Sequence, residues 1–172
     1  MGNTIVRKYA LGSLSDLKST STSQHDAYKL GDTVEVFDYD DEIITTYMYV
    51  NAGNALTQYG AYLINHIGVA GTEVQAISIP NAALTVYSLI CVPQVAFASG
   101  EYGWVAIKGA CSVLSTGNTT VDHFGAAVKN INTVTDEASL TVNSVLTYKA
   151  TQSEGAATVA AYLIGNKVTI AA

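Results

Sequence analysis

The side chains that could do chemistry are few, and their spacing suits none of the common sites. Histidine occurs as His25, His66 and His123. No HxH, HExxH or Cys-His spacing links them, so a converging set of zinc ligands is not expected. The acidic run Asp38, Asp40, Asp41 and Glu42 could attract calcium. An EF-hand loop, however, needs glycine at its sixth position and a bidentate glutamate at its twelfth, where this chain has Tyr49. The run reads as a solvated turn whose carboxylates also discourage foreign strands from pairing with the edge. A hydrolytic serine needs a tight turn such as G-x-S-x-G. None occurs, and Ser13, which follows Gly12, stands in low-complexity sequence. No phosphate-cradling G-x-x-x-x-G-K-[ST] or G-x-G-x-x-G is present. No catalytic, cofactor-binding or metal-binding residue is assigned, and no enzymatic activity is expected. Asn118-Thr119-Thr120 has the form of a glycosylation sequon and reads as a turn. Cys91 and Cys111 lack metal-ligand spacing. They can pair if their strands are neighbours, or serve as buried thiols acting as small apolar groups.

The elements that would position these residues follow a period of two, the signature of half-buried strands. In Thr33–Asp38, Val34 and Val36 share one face while Thr33, Glu35 and Phe37 take the other. Ile43–Val50 is rich in β-branched and aromatic residues, and the five residues from Asp38 to Glu42 read as the hairpin turn before it. Leu140–Lys149 alternates most cleanly, with Leu140, Val142, Leu146 and Tyr148 on one face. Leu84–Val92 and Tyr102–Ile107 are further strands, and Gly109 marks a bulge or a close backbone approach. Ser115-Thr116-Gly117-Asn118 is a turn. Ala157–Ile164 and Lys167–Ile170 flank Gly165-Asn166, a two-residue hairpin signal. One short helix is expected from Asn54 through Leu56 to Gln58, cut off by Gly60. Residues 1–30 stand apart. Their Ser13–Gln24 stretch is Ser/Thr-rich with little to bury, so an extended or flexible arm is expected before a single β domain over residues 31–172. The fold class is all-β, an antiparallel sandwich or barrel, jelly-roll-like or related.

Composition narrows the function classes. The chain has 172 residues, 49% hydrophobic and only 13% charged, with net charge −6. A typical charged share is about 25%. The eight Lys and Arg form no basic stripe, so nucleic-acid binding is not expected. No run reaches the ~18 apolar residues of a membrane helix. The N-terminus shows no signal peptide, and Val6 stands where myristoylation wants Ser or Thr. Eleven tyrosines stand against three phenylalanines. Tyrosine suits interfaces because it joins a large apolar face to a wet hydroxyl. Half-buried strand positions such as Tyr47, Tyr49, Tyr87 and Tyr102 would use it equally well. Sparse charge on a sheet-rich surface implies self-association.

Two stretches carry a resemblance. The first runs from Leu30 to Leu56: Leu30-Gly31, Val34 and Val36, the acidic turn, then Tyr47-Met48-Tyr49-Val50-Asn51-Ala52-Gly53-Asn54-Ala55-Leu56. The second, within Val92 to Leu114, centres on Ala98-Ser99-Gly100-Glu101-Tyr102-Gly103-Trp104-Val105-Ala106-Ile107-Lys108-Gly109-Ala110. Together they resemble the capsid decoration (cement) proteins of tailed bacteriophages, although Ala106 replaces the polar residue usual after Trp-Val. The resemblance implies a virion structural protein, made in the host cytoplasm. It would bind the outer surface of the assembled major-capsid lattice, often as a homotrimer at three-fold positions, and stabilise the head. A host-surface or carbohydrate-binding module of a head or tail fibre is the alternative. In the second stretch Tyr102 and Trp104 share one strand face, with Val105 and Ile107 on the other. Trp104, the sole tryptophan, is expected to anchor the core.

Overall fold

The computed structural model describes residues 4–7, 14–38, 42–67, 73–79, 88–128, 132–141, 144–153, 155–165 and 167–168. In chain order the strands are β1 (Thr4–Arg7), β2 (Thr20–Ser21), β3 (Thr33–Asp38), β4 (Ile43–Ala52), β5 (Tyr62–Ile67), β6 (Glu73–Ile77), β7 (Ser88–Pro93), β8 (Tyr102–Leu114), β9 (Phe124–Ala127), β10 (Val134–Glu137), β11 (Ser144–Tyr148), β12 (Thr158–Leu163) and β13 (Lys167–Val168). A 3₁₀ turn spans Leu14–Lys18, and no α-helix forms among the described residues.

The 13-residue β8 organises the chain. Its first half closes a ring with four other strands: β4 pairs with β8, β8 with β7, β7 with β5, β5 with β6, and β6 returns to β4. The last pairing is parallel and the others antiparallel. A closed ring leaves no free edge in the sheet, which removes the template for foreign pairing. Alternation sends one side chain in two inward. Val50 and Ala52 of β4, Tyr62 and Ile64 of β5, Val74 and Ala76 of β6, Cys91 of β7, and Val105 and Ile107 of β8 make one buried cluster, joined by Leu56 and Phe97. Burying a large apolar side chain contributes roughly 1.5–3 kcal/mol.

The second half of β8 belongs to another layer, in the order β8-β12-β11-β9-β10. The handover happens at Gly109. Before it, Lys108 faces Thr46 of β4; from it onward, Gly109 faces Leu163 of β12. The β4 ladder slips by one residue between Thr46 and Tyr47, as in a bulge. A Cβ on Gly109 would stand 2.3 Å from the Ile44 carbonyl oxygen, and its φ is +93°. Both the close approach and the left-handed backbone require glycine there. Of the two readings of Gly109, the close backbone approach is therefore observed, while the slip of the ladder itself falls at Ile107. Thr45 Oγ1 donates to the Ala110 carbonyl across the break (3.1 Å). On β8, the Gln94 side chain binds both the N–H and the C=O of Ser112 (3.1 and 3.2 Å), which extends the β7 ladder by one residue's worth of hydrogen bonds. The second core fills the space between the layers. Leu63, Ile90, Val92 and Ala106, the alternate residues of the barrel strands, meet Val113, Val145, Leu146, Tyr148, Val159, Ala161 and Leu163. Tyr62-Leu63-Ile64 of β5 and Ile90-Cys91-Val92 of β7 are thus buried on both faces, which explains their continuous apolar sequence.

The all-β expectation holds, as a closed barrel with an added sheet. Four local readings differ. Residues 54–58 are loop rather than helix: Leu56 makes an isolated bridge with Phe97, and Asn54 Oδ1 accepts from the Ser78 N–H at 3.1 Å. Gly165, at φ +73°, does not close a hairpin, because β13 pairs with β7. Both edges of β12 are already taken by β8 and β11. On β7, by contrast, β8 covers only Val92 and Pro93, which leaves Ser88 and Leu89 open to β13. The strand expected over Leu140–Lys149 shortens to β11. A bulge at Ser144–Leu146 resets its register, so Val145 and Leu146 are both buried; Leu140 lies in coil ahead of the strand and is 64% exposed. Finally, regular structure begins before Gly31: β1 pairs with β3, and the 3₁₀ turn and β2 follow. Tyr87, Val142 and the middle of the acidic turn (39–41) lie outside the described residues. Asp38 and Ile43 face each other as hairpin partners. Cys91 and Cys111 are free thiols, each packed against a different core cluster.

Candidate functional site

The outer face of the barrel wall, where β4 and β8 run side by side, carries the densest chemistry among the described residues. Tyr49 lies opposite Trp104, and Asn51 opposite Tyr102. Because Val105 and Ile107 point into the barrel, Trp104 points out of it, as the alternation predicts. Trp104 is nevertheless only 1% exposed. Residues 14–30 of the expected arm lie across it as a strap and form a third cluster. Leu17 and Tyr28 pack with Val34, Val36, Tyr49 and Trp104.

Three rings interlock at similar spacing. Tyr28 meets Tyr49 at 5.2 Å and Trp104 at 5.3 Å, both edge-on, and Tyr49 meets Trp104 at 5.3 Å. Such pairs contribute about 0.5–1.5 kcal/mol beyond their area. His25 stacks on Tyr28 at 4.3 Å, and Tyr102 stacks beside Tyr49 at 6.5 Å. Polar contacts fasten the strap. The Tyr28 hydroxyl donates to Asp16 Oδ2 (2.8 Å), the His25 N–H donates to the Tyr49 hydroxyl (3.1 Å), and the Gly31 N–H donates to the Tyr49 carbonyl (2.9 Å). Strand β2 pairs Thr20 with Gly103 and Ser21 with Tyr102. Gly103 permits this approach, since a Cβ there would meet the Phe97 ring at 2.7 Å and the Ser19 carbonyl at 3.0 Å. Burial pushes the Tyr49 hydroxyl above its ordinary pKa, with Tyr102 adding to the rise and the His25 N–H opposing it.

Where strap and wall do not meet perfectly, a recess of about 50 Å³ remains, lined by Asp16, Ser19, Thr20, Ser21, His25, Tyr28, Tyr49, Tyr102, Gly103 and Trp104. The Trp104 Nε1–H is buried and has no acceptor among the described residues. An orphaned buried donor costs about 1–3 kcal/mol.

The other chemistry-bearing residues do not converge. His25 sits on the strap, His66 on β5 and His123 just before β9. His123 Nδ1 lies 2.8 Å from Asp136 Oδ2, tying the start of β9 to β10, and the other Asp136 oxygen accepts the Thr120 N–H at 3.2 Å. Among the described residues no group of three His, Cys, Asp or Glu could hold a metal ion. No helix among them is long and apolar enough to cross a membrane. Tyr49, Tyr102 and Trp104 were legible from strand alternation. Leu17, His25 and Tyr28 were not, because isolated large residues in and just after a Ser/Thr-rich run show no period.

The two stretches behind the resemblance are joined in space. Ladder β4–β8 runs through both, and beyond it the Ala52 N–H donates to the Glu101 carbonyl and the Gly100 N–H to the Ala52 carbonyl, both at 2.7 Å. Leu56 and Phe97 then exchange two backbone bonds of 3.0 Å. No family model matches the chain, and no curated protein matches it. Among solved structures the chain is similar to the N base of head fiber gp8.5 in bacteriophage phi29. The identity is 12% and the TM-score 0.49, over 72% of this chain and 98% of that one.

Proposed function

We propose that this chain is a bacteriophage virion structural protein that decorates the outer surface of the assembled major-capsid lattice and stabilises the head. The observation that supports this reading is the union of the two motif stretches. Residues 47–56 and 97–110 are some fifty positions apart in the chain, yet they form one hydrogen-bonded unit, the wall between barrel and strap. Their resemblance to the decoration proteins therefore falls on a single structural element rather than on two scattered segments. The mechanism needs no catalysis. A protein that binds only the assembled lattice stabilises it by mass action. Association as a homotrimer would match a three-fold position in the shell and link three weak contacts into one avid attachment. The test is co-sedimentation with undecorated capsids, read alongside the thermal stability of the heads. Saturable pelleting and heads that withstand higher temperature are expected. A chain that stays in the supernatant at excess lattice overturns the reading. Sedimentation equilibrium tests the trimer separately: an 18 kDa species at micromolar concentration would discard self-association, and a dimer would discard the three-fold match.

A further inference from the structure

The outer sheet repeats the barrel strand for strand. Strands β8, β9, β10, β11 and β12 take the places of β4, β5, β6, β7 and β8, so β8 ends the first set and begins the second. Ladder β8–β12 answers β4–β8, β11–β12 answers β7–β8, β9–β11 answers β5–β7 and β9–β10 answers β5–β6, all antiparallel. The parallel pairing of β6 with β4 returns as the parallel bridge Ser115–Val134. Register agrees as well as order. The pairs from Tyr47–Ala106 to Asn51–Tyr102 recur as those from Ala110–Tyr162 to Leu114–Thr158, and Pro93–Val105 recurs as Tyr148–Ala161. The Gly53 N–H donates to the Ala76 carbonyl at 3.0 Å, and at the matching place the Thr116 N–H donates to the Val134 carbonyl at 2.9 Å.

The loops repeat in equal detail. Leu56 and Phe97 exchange backbone bonds across the first set, and Thr119 and Gln152 do so across the second, at 2.8 and 3.0 Å. Three residues beyond each of these four the backbone is left-handed: Tyr59 at φ +66°, Gly100 at +85°, Asp122 at +66° and Gly155 at +79°. A tyrosine rarely adopts that conformation, so the loop imposes it. The Tyr59 N–H then reaches the Pro93 carbonyl (2.8 Å), and the Asp122 N–H reaches the Tyr148 carbonyl (3.0 Å). In backbone the two sets are copies of one unit. Their side chains part company at the bridges, where partners project to the same side. In the first copy the pair is apolar, Leu56 and Phe97, 2% and 3% exposed. In the second it is polar. Thr119, 2% exposed, donates its hydroxyl to the Ala150 carbonyl (3.2 Å), and both amide atoms of Gln152 are buried with no partner among the described residues. A buried amide without partners is a cost, so stability alone does not account for the polar pair.

A chain with two copies of one unit can pair them wrongly, a recurrent failure of repeated folds. Strand β4 could take β12 as its last strand in place of β8, and the loop of Leu56 would then meet the loop of Gln152. We propose that the two bridge pairs are matching marks that prevent this exchange, the apolar pair joining its own two loops and the polar pair its own. Crossed pairing would send the Gln152 amide into the barrel interior among Val50, Ala52 and Ile64, the costliest surroundings for it, and would leave Phe97 to face Thr119. Buried polar residues that select one pairing at a cost in stability act in the same way elsewhere. The proposal is independent of capsid attachment.

The test makes both marks alike by changes that nearly keep shape. Thr119→Val with Gln152→Met leaves all four bridge residues apolar. The full chain is unfolded in denaturant and refolded by dilution, and the native fraction is read from the fluorescence of the sole tryptophan and from size-exclusion chromatography. The double variant is expected to keep the parent's denaturant midpoint or exceed it. Its fraction caught in slow-refolding or associated species should nevertheless be about tenfold larger, the factor that the loss of one hydrogen-bonding mismatch permits. Gln152→Met alone, which keeps the Thr119 hydroxyl bond, should fall between, and it carries the test if the double variant does not fold. A variant that refolds as completely as the parent overturns the proposal. So does misfolding that rises only in step with a lowered midpoint, which would reduce the polar pair to ordinary packing.

Discussion

The barrel and the outer sheet share β8 but are finished differently. The barrel is a closed ring, packed inside by one cluster and covered outside by the strap and its interlocked rings. The outer sheet has no full closing ladder. It packs one face against the barrel, and β10 returns to the chain just after β8 only through the bridge Ser115 to Val134 and the Thr116 N–H bond to the Val134 carbonyl (2.9 Å), among the described residues. Asp136 and Glu137 lie on that strand, as acidic residues do on edges protected from foreign pairing. The contrast teaches where each region's stability resides. In the barrel it rests on closure and on aromatic packing contributed by residues distant in sequence. In the outer sheet it rests on a single buried face.

The contrast can be broken most strongly at Trp104. Trp104→Ala removes the ring on which Tyr28 and Tyr49 both pack and should cost ~3–5 kcal/mol. Hydrogen exchange should show the strap opening well before the outer sheet loses protection. A denaturant midpoint near the parent's would mean that the strap does not stabilise the barrel wall.

Gly109→Ala strikes the joint itself. The added methyl would collide with the Ile44 carbonyl on a backbone that favours glycine, and a loss of about 2–4 kcal/mol is expected. Protection should fall in β4 and β12 together, because both pair with β8 around this residue. Loss confined to one of them would show the two halves to be independent.

High pH should test both regions with a smaller effect. Burial pushes Tyr47 on the barrel wall, and Cys111 and Tyr148 against the second core, up to about 12, above ordinary values of 10 for tyrosine and 9 for cysteine. These groups stay neutral in the folded chain at pH values where the unfolded chain ionises them. The stability they contribute is therefore fully present below about pH 9 and falls as pH rises toward about 12. Chemical denaturation at a neutral and at a strongly alkaline pH should show that decline, and Tyr148→Phe should reduce it. An unchanged decline in Tyr148→Phe would remove the outer sheet from the effect.

The smallest change is expected at Leu140. It is 64% exposed, so Leu140→Ser should stay within about ±0.5 kcal/mol of the parent. A loss of 2 kcal/mol or more, the range for core leucines, would restore the inward position that simple alternation gives it.

Strand alternation made much of the barrel legible. Val34 and Val36 share a buried face, Trp104 and Val105 point to opposite sides, and Gly109 marks a close backbone approach, all as read from residue types alone. The candidate site was legible by half. Tyr49, Tyr102 and Trp104 belong to periodic strands. Asp16, Leu17, His25 and Tyr28 come from a segment whose conformation is set by the wall it lies on, so no local pattern announces it.

What the sequence by itself determined is therefore the strand character of the chain and, in most strands, which side chains turn inward, since a period of two is a local steric property of each segment. Only the tertiary structure decided which edges meet. Lys167 and Val168 pair with β7 instead of closing a hairpin at Gly165, because β12 had no vacant edge and β7 had one. Leu140 lost its inward place because the strand does not reach it: residues 138–141 are bend and coil ahead of β11. The strap found Trp104 because a flat aromatic face remained uncovered on the closed barrel. Pairing and covering depend on vacancies that exist only once the other strands are in place, and no segment's own residues can encode them.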